Sequence, residues 1–182
     1  MLSLCEQERR AALELAHKAV TEAVLRRKLP DEIPTEGLFA QRRGVFVTLH
    51  VRKRLQGCIG VTEPKELLGE AIVRCAMCAA LEDPRFTPMR EEQISELSIE
   101  ISLLSPMQRI AVEAVEIGRH GLLIEHQGHR GLLLPQVATE HHLNREQFLD
   151  ETCRKAGLLS GAWRDAEAHL FGFTCEVFSD QK

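Results

Sequence analysis

Two short alternating segments on either side of a basic turn constrain the fold of this chain most. In residues 45–51 the type of side chain alternates from one residue to the next, and residues 55–61 show the same period of two. That period indicates strands, and so short a connection joins antiparallel neighbours. If the turn holds residues 52–54, Thr48 lies opposite Cys58 and His50 lies opposite Gln56. The sequence therefore predicts a hairpin with Cys58 on its polar face.

Cys58 lies between two glycines in the segment Leu-Gln-Gly-Cys-Ile-Gly at residues 55–60. Glycine has no Cβ, so Gly57 and Gly60 would let a backbone or a ligand approach closely. The sulfur of Cys58 would then be reachable on a sheet surface. Cys58 is therefore the first candidate for a reactive group.

The composition excludes several classes of protein. The 182 residues are 44% apolar and 27% charged, which is typical of one globular domain with a core. A net charge of −4 argues against broad electrostatic capture of nucleic acid. No apolar run is long enough to cross a bilayer, and the first ten residues are charged where a signal peptide is apolar. We expect a cytoplasmic protein whose six cysteines are thiols.

The helical patterns predict an N-terminal helix at about residues 5–28 and a second helix that ends near Leu81. Ser3 with Glu6 could form a capping box for the first helix, and Thr62 could cap the second, with Pro64 in its first turn. We expect Leu68, Ile72, Cys75 and Ala79 to form the buried stripe of the second helix, which also has Cys75 and Cys78 at C-x-x-C spacing. Because there is no second Cys or His pair at zinc spacing, we expect both thiols to be buried and metal-free.

Three further segments carry candidate site residues. In the turn Asp83-Pro84-Arg85-Phe86, Asp83 could accept from turn amides, and Arg85 could bind an anion or pair with a carboxylate. Glu100 lies in mid-strand between two serines, where a carboxylate is either exposed or part of a site. His120 follows Arg119 between two glycines, which favours a functional imidazole.

The rest of the chain predicts a second hairpin, with strands at 122–125 and 131–134 and a turn at 127–130. We expect His126 and His129, near that turn, to be exposed. Asn144 with Gln147 predicts the cap of a further helix. An alternating segment at 170–178 predicts a last strand.

Six ordered motifs give the chain a resemblance to a known family. It is similar to the AMMECR domain family, known in prokaryotes as AmmeMemoRadiSam system protein A, over about residues 39–178. The motifs are Leu-Gln-Gly-Cys-Ile-Gly at 55–60, Asp-Pro-Arg-Phe at 83–86, Ile-Glu-Ile-Ser at 99–102, Glu-Ile-Gly-Arg-His-Gly at 116–121, Gly-Leu-Leu-Leu-Pro-Gln-Val-Ala at 131–138 and Cys-Arg-Lys-Ala-Gly-Leu at 153–158.

The resemblance implies an α/β (α+β) fold in two unequal lobes, with mostly antiparallel or mixed sheets flanked by helices. It implies one AMMECR-like domain over residues 1–182, with Cys58 in a cleft. It also implies a Memo-like, dioxygenase-related protein and a radical SAM protein as partners. The family usually has Arg where Gln56 stands and Trp near position 143, where this chain has Leu143. A radical SAM cluster motif is absent, so that chemistry would belong to a partner. The sequence identifies no cofactor and no metal ligands.

Three functions follow from these features. In a cysteine-dependent enzyme, Cys58 would be the nucleophile, His120 the acid or base, and Glu100 an orienting group, all lining one cleft. Substrate contacts would come from Gln56, Gly57, Gly60, Arg85 and Arg119. In a non-catalytic binding or scaffold module, the glycines would matter more than the sulfur. Nucleic-acid binding has least support, because the chain is acidic and has no Tyr.

Overall fold

The computed structural model describes residues 4–63 and 65–180. The chain divides into two compact units of unequal size, as the resemblance implied. Unit 1 comprises Met1–Leu104 with Glu176–Lys182, and unit 2 comprises Ser105–Cys175. The elements are helices α1 Glu6–Arg26, α2 Leu68–Leu81, α3 Pro135–Glu140 and α4 Arg145–Lys155, and strands β1 Val45–Val51, β2 Arg54–Val61, β3 Leu97–Leu104, β4 Gln108–Arg109, β5 His120–His126, β6 His129–Leu133 and β7 His169–Ser179, with short 3-10 turns at Gly37–Ala40, Glu91–Glu96, Val112–Ala114 and Ala162–Arg164.

In unit 1, β1 lies between β2 and β3 and is antiparallel to both, so β2 is an edge strand. One face of these strands is apolar, as the alternation predicted, and it packs in a common core with α1 and α2. The strand residues at the centre of this core are fully buried: Val45, Val47, Leu49, Ile99, Ile101 and Leu103. The opposite face is therefore the one that carries the candidate site.

Helix α2 has the predicted buried stripe but begins later than the sequence suggested. Thr62 is not its cap, and Pro64 lies outside the described residues. The helix begins after Leu67, whose N–H donates to the Glu70 carboxylate at 3.0 Å, while the Leu68 N–H donates to the Gln41 carbonyl at 2.7 Å. These bonds satisfy amides at the helix start that a Thr62 cap would not reach.

The start of α1 also differs from the predicted capping box. Ser3 lies outside the described residues, and the helix is preceded by Cys5, whose N–H donates to Glu8 at 2.8 Å. The helix ends at Arg26, within two residues of the predicted end. Among the residues that the structure describes, no helix is long and apolar enough to cross a membrane.

The two cysteines of the C-x-x-C segment have different environments. Cys75 is fully buried as predicted, and burial raises the pKa of its thiol to about 12. The prediction of burial is wrong for Cys78, which is half-buried at the margin of the stripe. Burial and a hydrogen bond to Glu82 at 3.4 Å raise the pKa of the Cys78 thiol. Both thiols are therefore less readily ionised than a free cysteine.

In unit 2, β5 pairs antiparallel with β6 and β7, and β4 pairs with β7. Helix α4 buries Phe148, Leu149 and Cys153 against this sheet. Asn144 and Gln147 cap α4 reciprocally as predicted, with hydrogen bonds of 3.0 and 2.9 Å. Gly157, with φ +75°, follows the helix end.

The second hairpin has a two-residue turn rather than the predicted four, so its strands are longer. His129 is exposed as predicted. The prediction for His126 is wrong: this residue is 7% exposed, and its imidazole lies 3.6 Å from the Asp165 carboxylate. Alternation along β5 explains the error, because His126 continues the buried face of Leu122 and Ile124.

Candidate functional site

The register of β1 and β2 sets the surroundings of Cys58. Thr48 lies opposite Cys58 as predicted, but His50 lies opposite Leu55 rather than Gln56. The reason is a bulge in β2, where Gln56 is an extra residue without a partner on β1. The turn holds only Arg52 and Lys53, both with positive φ. The bulge thus interrupts the regular pairing two residues before Cys58.

A row of three residues crosses the sheet at Cys58. Thr48 on β1 faces Cys58 on one side and Glu100 of β3 on the other. Directly opposite residues project from the same face of a sheet, so Cys58 and Glu100 share the polar face. The Thr48 hydroxyl donates to the Cys58 sulfur at 3.2 Å. Two of the three predicted catalytic residues therefore lie on one face of the sheet in unit 1, two strands apart.

The turn after α2 binds the backbone of Cys58 from outside the sheet. The Asp83 carboxylate accepts from the Cys58 N–H at 2.9 Å, and the Arg85 guanidinium donates to the Cys58 carbonyl at 2.9 Å. Asp83 and Arg85 also pair with each other through two hydrogen bonds of 2.9 and 2.7 Å. Since β2 is an edge strand, this pair satisfies backbone groups that would otherwise face solvent.

Asp83 and Arg85 together form a clamp on the backbone of Cys58. The same contacts shift the pKa values of both side chains of this clamp. The hydrogen bonds from Arg85 hold the pKa of the Asp83 carboxyl far below its usual range, against the effect of burial. The hydrogen bond to Asp83 raises the pKa of Arg85, against the effect of burial. Asp83 is almost fully buried, whereas the Arg85 side chain is 57% exposed. The clamp therefore places a fixed, partly exposed positive charge beside Cys58.

Two parts of the protein fill the space left by the motif glycines. A Cβ on Gly57 would lie 2.0 Å from the carbonyl oxygen of Ala79 in α2. A Cβ on Gly60 would lie 2.3 Å from the ring of Phe46. Gly57 thus allows the helix to contact β2, and Gly60 allows an aromatic ring to lie over the strand. That either glycine also contacts a substrate stays a prediction.

Gln56, the bulged residue, is held by polar contacts at the side of β2. Its amide donates to the Thr87 carbonyl at 2.8 Å, and its side-chain oxygen accepts from Gln93 at 3.4 Å. Gln56 also lines a depression of about 600 Å³ next to the turn of the hairpin. Cys58 does not line this depression. A neutral amide at Gln56 supplies no charge to the site.

His120 and Arg119 belong to unit 2 and have local partners there. The Nδ1 atom of His120, the first residue of β5, accepts from the Glu116 N–H at 3.0 Å. Arg119 forms an ion pair with Glu116 at 2.9 Å, and this pair lowers the pKa of the Glu116 carboxyl. Both side chains thus hold the turn that precedes β5. That His120 acts as an acid or base and that Arg119 contacts a substrate both stay predictions.

Sequence reasoning missed the reach of Asp83 to Cys58 and gave Thr48 no role in the site. The turn role expected for Asp83 is present, since its carboxylate accepts from the Arg85 N–H at 3.1 Å. The bond to Cys58 joins residues 25 apart, and no local pattern indicates such a contact. Within residues 4–63 and 65–180, no three His, Cys, Asp or Glu side chains group as metal ligands would.

Comparison with known proteins gives a consistent family. The AMMECR1 family profile matches residues 13–178. Protein Ta0236 of Thermoplasma acidophilum is 42% identical, covering 93% of this chain and 86% of that protein. Protein Mbar_A1807 of Methanosarcina barkeri is 40% identical, covering 98% and 93%. The crystal structure of the uncharacterized protein PH0010 from Pyrococcus horikoshii superposes with a TM-score of 0.89 at 34% identity, covering 98% of this chain and 94% of that one. By both sequence and fold, the protein belongs to the AMMECR1 family.

Proposed function

We propose that this protein is a cysteine-centred enzyme or accessory factor that acts on a small molecule or a modified protein side chain. Cys58 is the reacting group, Glu100 orients the site, and Arg85 attracts a negatively charged part of the substrate. An imidazole serves as the acid or base, the role for which the sequence alone favours His120. The proposal includes a cytoplasmic location.

The surroundings of the Cys58 sulfur are the single observation that carries this proposal. The Thr48 hydroxyl donates to it at 3.2 Å, and the Arg85 guanidinium donates to the carbonyl of the same residue at 2.9 Å. Reactive thiols are typically partly exposed, near positive charge and near hydrogen-bond donors. Cys58 is half-buried, and the clamp holds its backbone in place. These features support a preorganised nucleophile.

The test compares the alkylation rates of the cysteines in the folded protein. Iodoacetamide would be added at neutral pH, and each labelled cysteine would be followed by peptide mass spectrometry. We expect Cys58 to label faster than Cys5, although Cys5 is the more exposed thiol. Labelling of Cys58 no faster than that of the half-buried Cys78 would contradict the proposal. Incubation with cell extract should then yield a retained molecule or adduct on the wild type that Cys58→Ser lacks.

A second candidate is a non-catalytic binding or scaffold module, and the motif glycines favour it. The spaces beside Gly57 and Gly60 are filled by Ala79 and Phe46, which is what a purely structural motif requires. In this case Cys58→Ala would bind a partner as the wild type does, whereas Gly60→Ala would not. Slow labelling of Cys58 together with unchanged function in Cys58→Ser would decide for the module.

The proposed partners are a Memo-like, dioxygenase-related protein and a radical SAM protein. This pairing is what the resemblance to AmmeMemoRadiSam system protein A implies. Co-expression of the three chains, followed by size-exclusion chromatography, tests it. Co-elution that survives Cys58→Ala would assign the interaction to the module, and loss of co-elution would assign it to the sulfur.

A further inference from the structure

We infer that His50, rather than His120, is the general base that takes the proton of the Cys58 thiol. This inference rests on the proposed function, since it assigns the proton acceptor for the same reacting group. The sequence favoured His120 because it lies between glycines in a loop. The arrangement of side chains on the sheet of unit 1 favours His50 instead.

The sheet register places His50 and Cys58 on one face. Thr48 and His50 are two residues apart on β1 and project from the same side, and Cys58 lies directly opposite Thr48. His50 is therefore the diagonal neighbour of Cys58 across the hairpin. Diagonal neighbours are about 7–8 Å apart, within reach of a long side chain. The bulge at Gln56 lies between the two rows, where it bends β2 and alters the direction of nearby side chains.

The imidazole of His50 has a buried nitrogen without a partner. Its Nδ1 atom is inaccessible to solvent and makes no hydrogen bond with any residue the structure describes. Most buried side-chain polar atoms in proteins have a partner, so an unsatisfied one indicates a ligand, a water or a proton-transfer role. By contrast, the Nδ1 atom of His120 accepts from the Glu116 N–H. Of the two imidazoles, His50 has its Nδ1 available.

Glu100 occupies the matching position on the other side of β1. His50 pairs with Ser98 and Thr48 pairs with Glu100, so Glu100 is also a diagonal neighbour of His50. A carboxylate there stabilises the imidazolium that forms when the thiol proton is transferred. Beside Cys58, Asp83 is buried and paired with Arg85, and the partly exposed guanidinium remains the positive charge of the clamp. Cys58, His50 and Glu100 thus form a Cys–His–carboxylate set on one sheet face.

The step is a simple proton transfer with nucleophilic attack. The thiol proton passes to the His50 imidazole, and a sulfur lone pair forms a bond to an electrophilic carbon. The leaving group departs with the electron pair of the bond that breaks. With iodoacetamide as the probe, an S–C bond forms, a C–I bond breaks and iodide leaves.

The experiment measures iodoacetamide labelling of Cys58 from pH 6 to pH 10 in the wild type and in His50→Ala, His50→Gln, His120→Gln and His129→Gln. A free thiol is only a few per cent ionised at pH 7, so assistance can raise the rate by at most about thirtyfold. We expect both His50 variants to slow labelling at pH 7 by about tenfold, with little difference from the wild type near pH 10. Added imidazole should restore the rate in His50→Ala. His120→Gln and the exposed control His129→Gln should match the wild type.

The outcomes separate this inference from the proposed function. Fast labelling of Cys58 in the wild type that persists in both His50 variants overturns the inference and leaves the proposed function standing. Slowing by His120→Gln alone overturns it in favour of the residue that the sequence predicted. Slowing by the His50 variants at every pH, without rescue by imidazole and with a lower Tm, assigns His50 a structural role and also overturns it. Slow labelling in the wild type overturns both.

Discussion

The two hairpins of the protein, β1–β2 in unit 1 and β5–β6 in unit 2, are built to the same plan. Each has a two-residue turn in which both residues have positive φ, at Arg52-Lys53 and at Gln127-Gly128. This conformation matches the twist of the flanking strands. In each, the second strand contacts the backbone of a helical segment through a glycine, Gly57 at Ala79 and Gly131 at Ala156.

The hairpins differ in regularity. The register of β5 and β6 runs without interruption from the pair Leu122–Leu133 to the pair His126–His129. The register of β1 and β2 is broken by the bulge at Gln56. The turn of the second hairpin has a glycine, whereas that of the first has two long basic residues. In the first hairpin the clamp binds the backbone of the edge strand.

This difference indicates which hairpin is organised around one residue. Pairing and core packing suffice to form the regular hairpin. In the irregular one, side chains from a distant turn bind the N–H and carbonyl of Cys58, and the bulge lies two residues away. Bulges and strained backbone are common next to functional sites, where they set the direction of a side chain. The comparison can be tested by substituting matched positions in the two hairpins.

The glycines that contact the helices should give the largest effects on stability. In Gly57→Ala the new methyl group would meet the Ala79 carbonyl oxygen, so α2 or β2 must move. In Gly131→Ala it would meet the backbone nitrogen of Ala156 at 2.3 Å. We expect each substitution to lower the free energy of unfolding by about 3 kcal/mol, measured by urea denaturation. An unchanged midpoint in Gly57→Ala would mean that the helix is not held against β2.

Substitution in the clamp should have the next largest effect and should distinguish the hairpins. Asp83→Asn removes the charge that binds Arg85 and weakens the bond to the Cys58 N–H. We expect a loss of about 2 kcal/mol in the free energy of unfolding. The matched control is Glu125→Gln in β5, which breaks a partly exposed ion pair with Arg130 and should cost less than about 0.5 kcal/mol. Equal losses in the two variants would contradict the special role of the clamp.

The clamp also predicts a dependence of stability on pH. Because Arg85 lowers the pKa of folded Asp83, the stabilisation is fully present above the unfolded value of about 3.9 and is lost as the pH falls below it. The Tm of the wild type should therefore fall more steeply than that of Asp83→Asn between pH 4 and pH 2. Parallel curves for the two proteins would exclude a depressed pKa at Asp83.

Loss of the Thr48 hydroxyl should change reactivity more than stability. Thr48→Val keeps the shape of the side chain but removes the donor to the Cys58 sulfur. A hydrogen bond to a charged acceptor contributes about 1.5–3 kcal/mol, so labelling of Cys58 by iodoacetamide should slow by about tenfold, within the roughly thirtyfold that assistance can supply. Thr174→Val, at an exposed position on β7, is the control and should label as the wild type does. Unchanged labelling in Thr48→Val would remove the hydroxyl from the site.

The first hairpin shows how much of the site could be predicted from the sequence. Alternation correctly predicted the strands, the buried face and the pairing of Thr48 with Cys58. The pairing of Thr48 with Cys58 was predicted correctly because two errors cancel. The turn is one residue shorter than predicted, and the bulge at Gln56 adds one residue to β2. Between the turn and the bulge the errors do not cancel, so the predicted pairing partner of His50 was wrong.

The other errors have one physical cause, which is that the contacts involved join distant parts of the chain. The bond from the Cys58 N–H to Asp83 depends on where α2 ends relative to β2, and no periodicity encodes that position. His126 was predicted to be exposed because it is next to a turn, but packing in unit 2 buries it. Local patterns thus predict elements and faces, whereas the partners of buried polar groups require the tertiary structure.

The turns themselves should give the smallest effects, of opposite sign in the two hairpins. Positive φ is unfavourable for residues with a Cβ by about 1–2 kcal/mol, whereas glycine adopts it freely. Gly128→Ala has space for its methyl group, so it should lose about 1 kcal/mol through backbone strain alone. Lys53→Gly relieves that strain but gives the unfolded chain more freedom, so it should gain only about 0.5 kcal/mol. Urea denaturation measures both changes. If Lys53→Gly is stabilising and leaves the labelling rate of Cys58 unchanged, the strain at the turn is independent of the site; if labelling slows, the turn and bulge together set the position of Cys58.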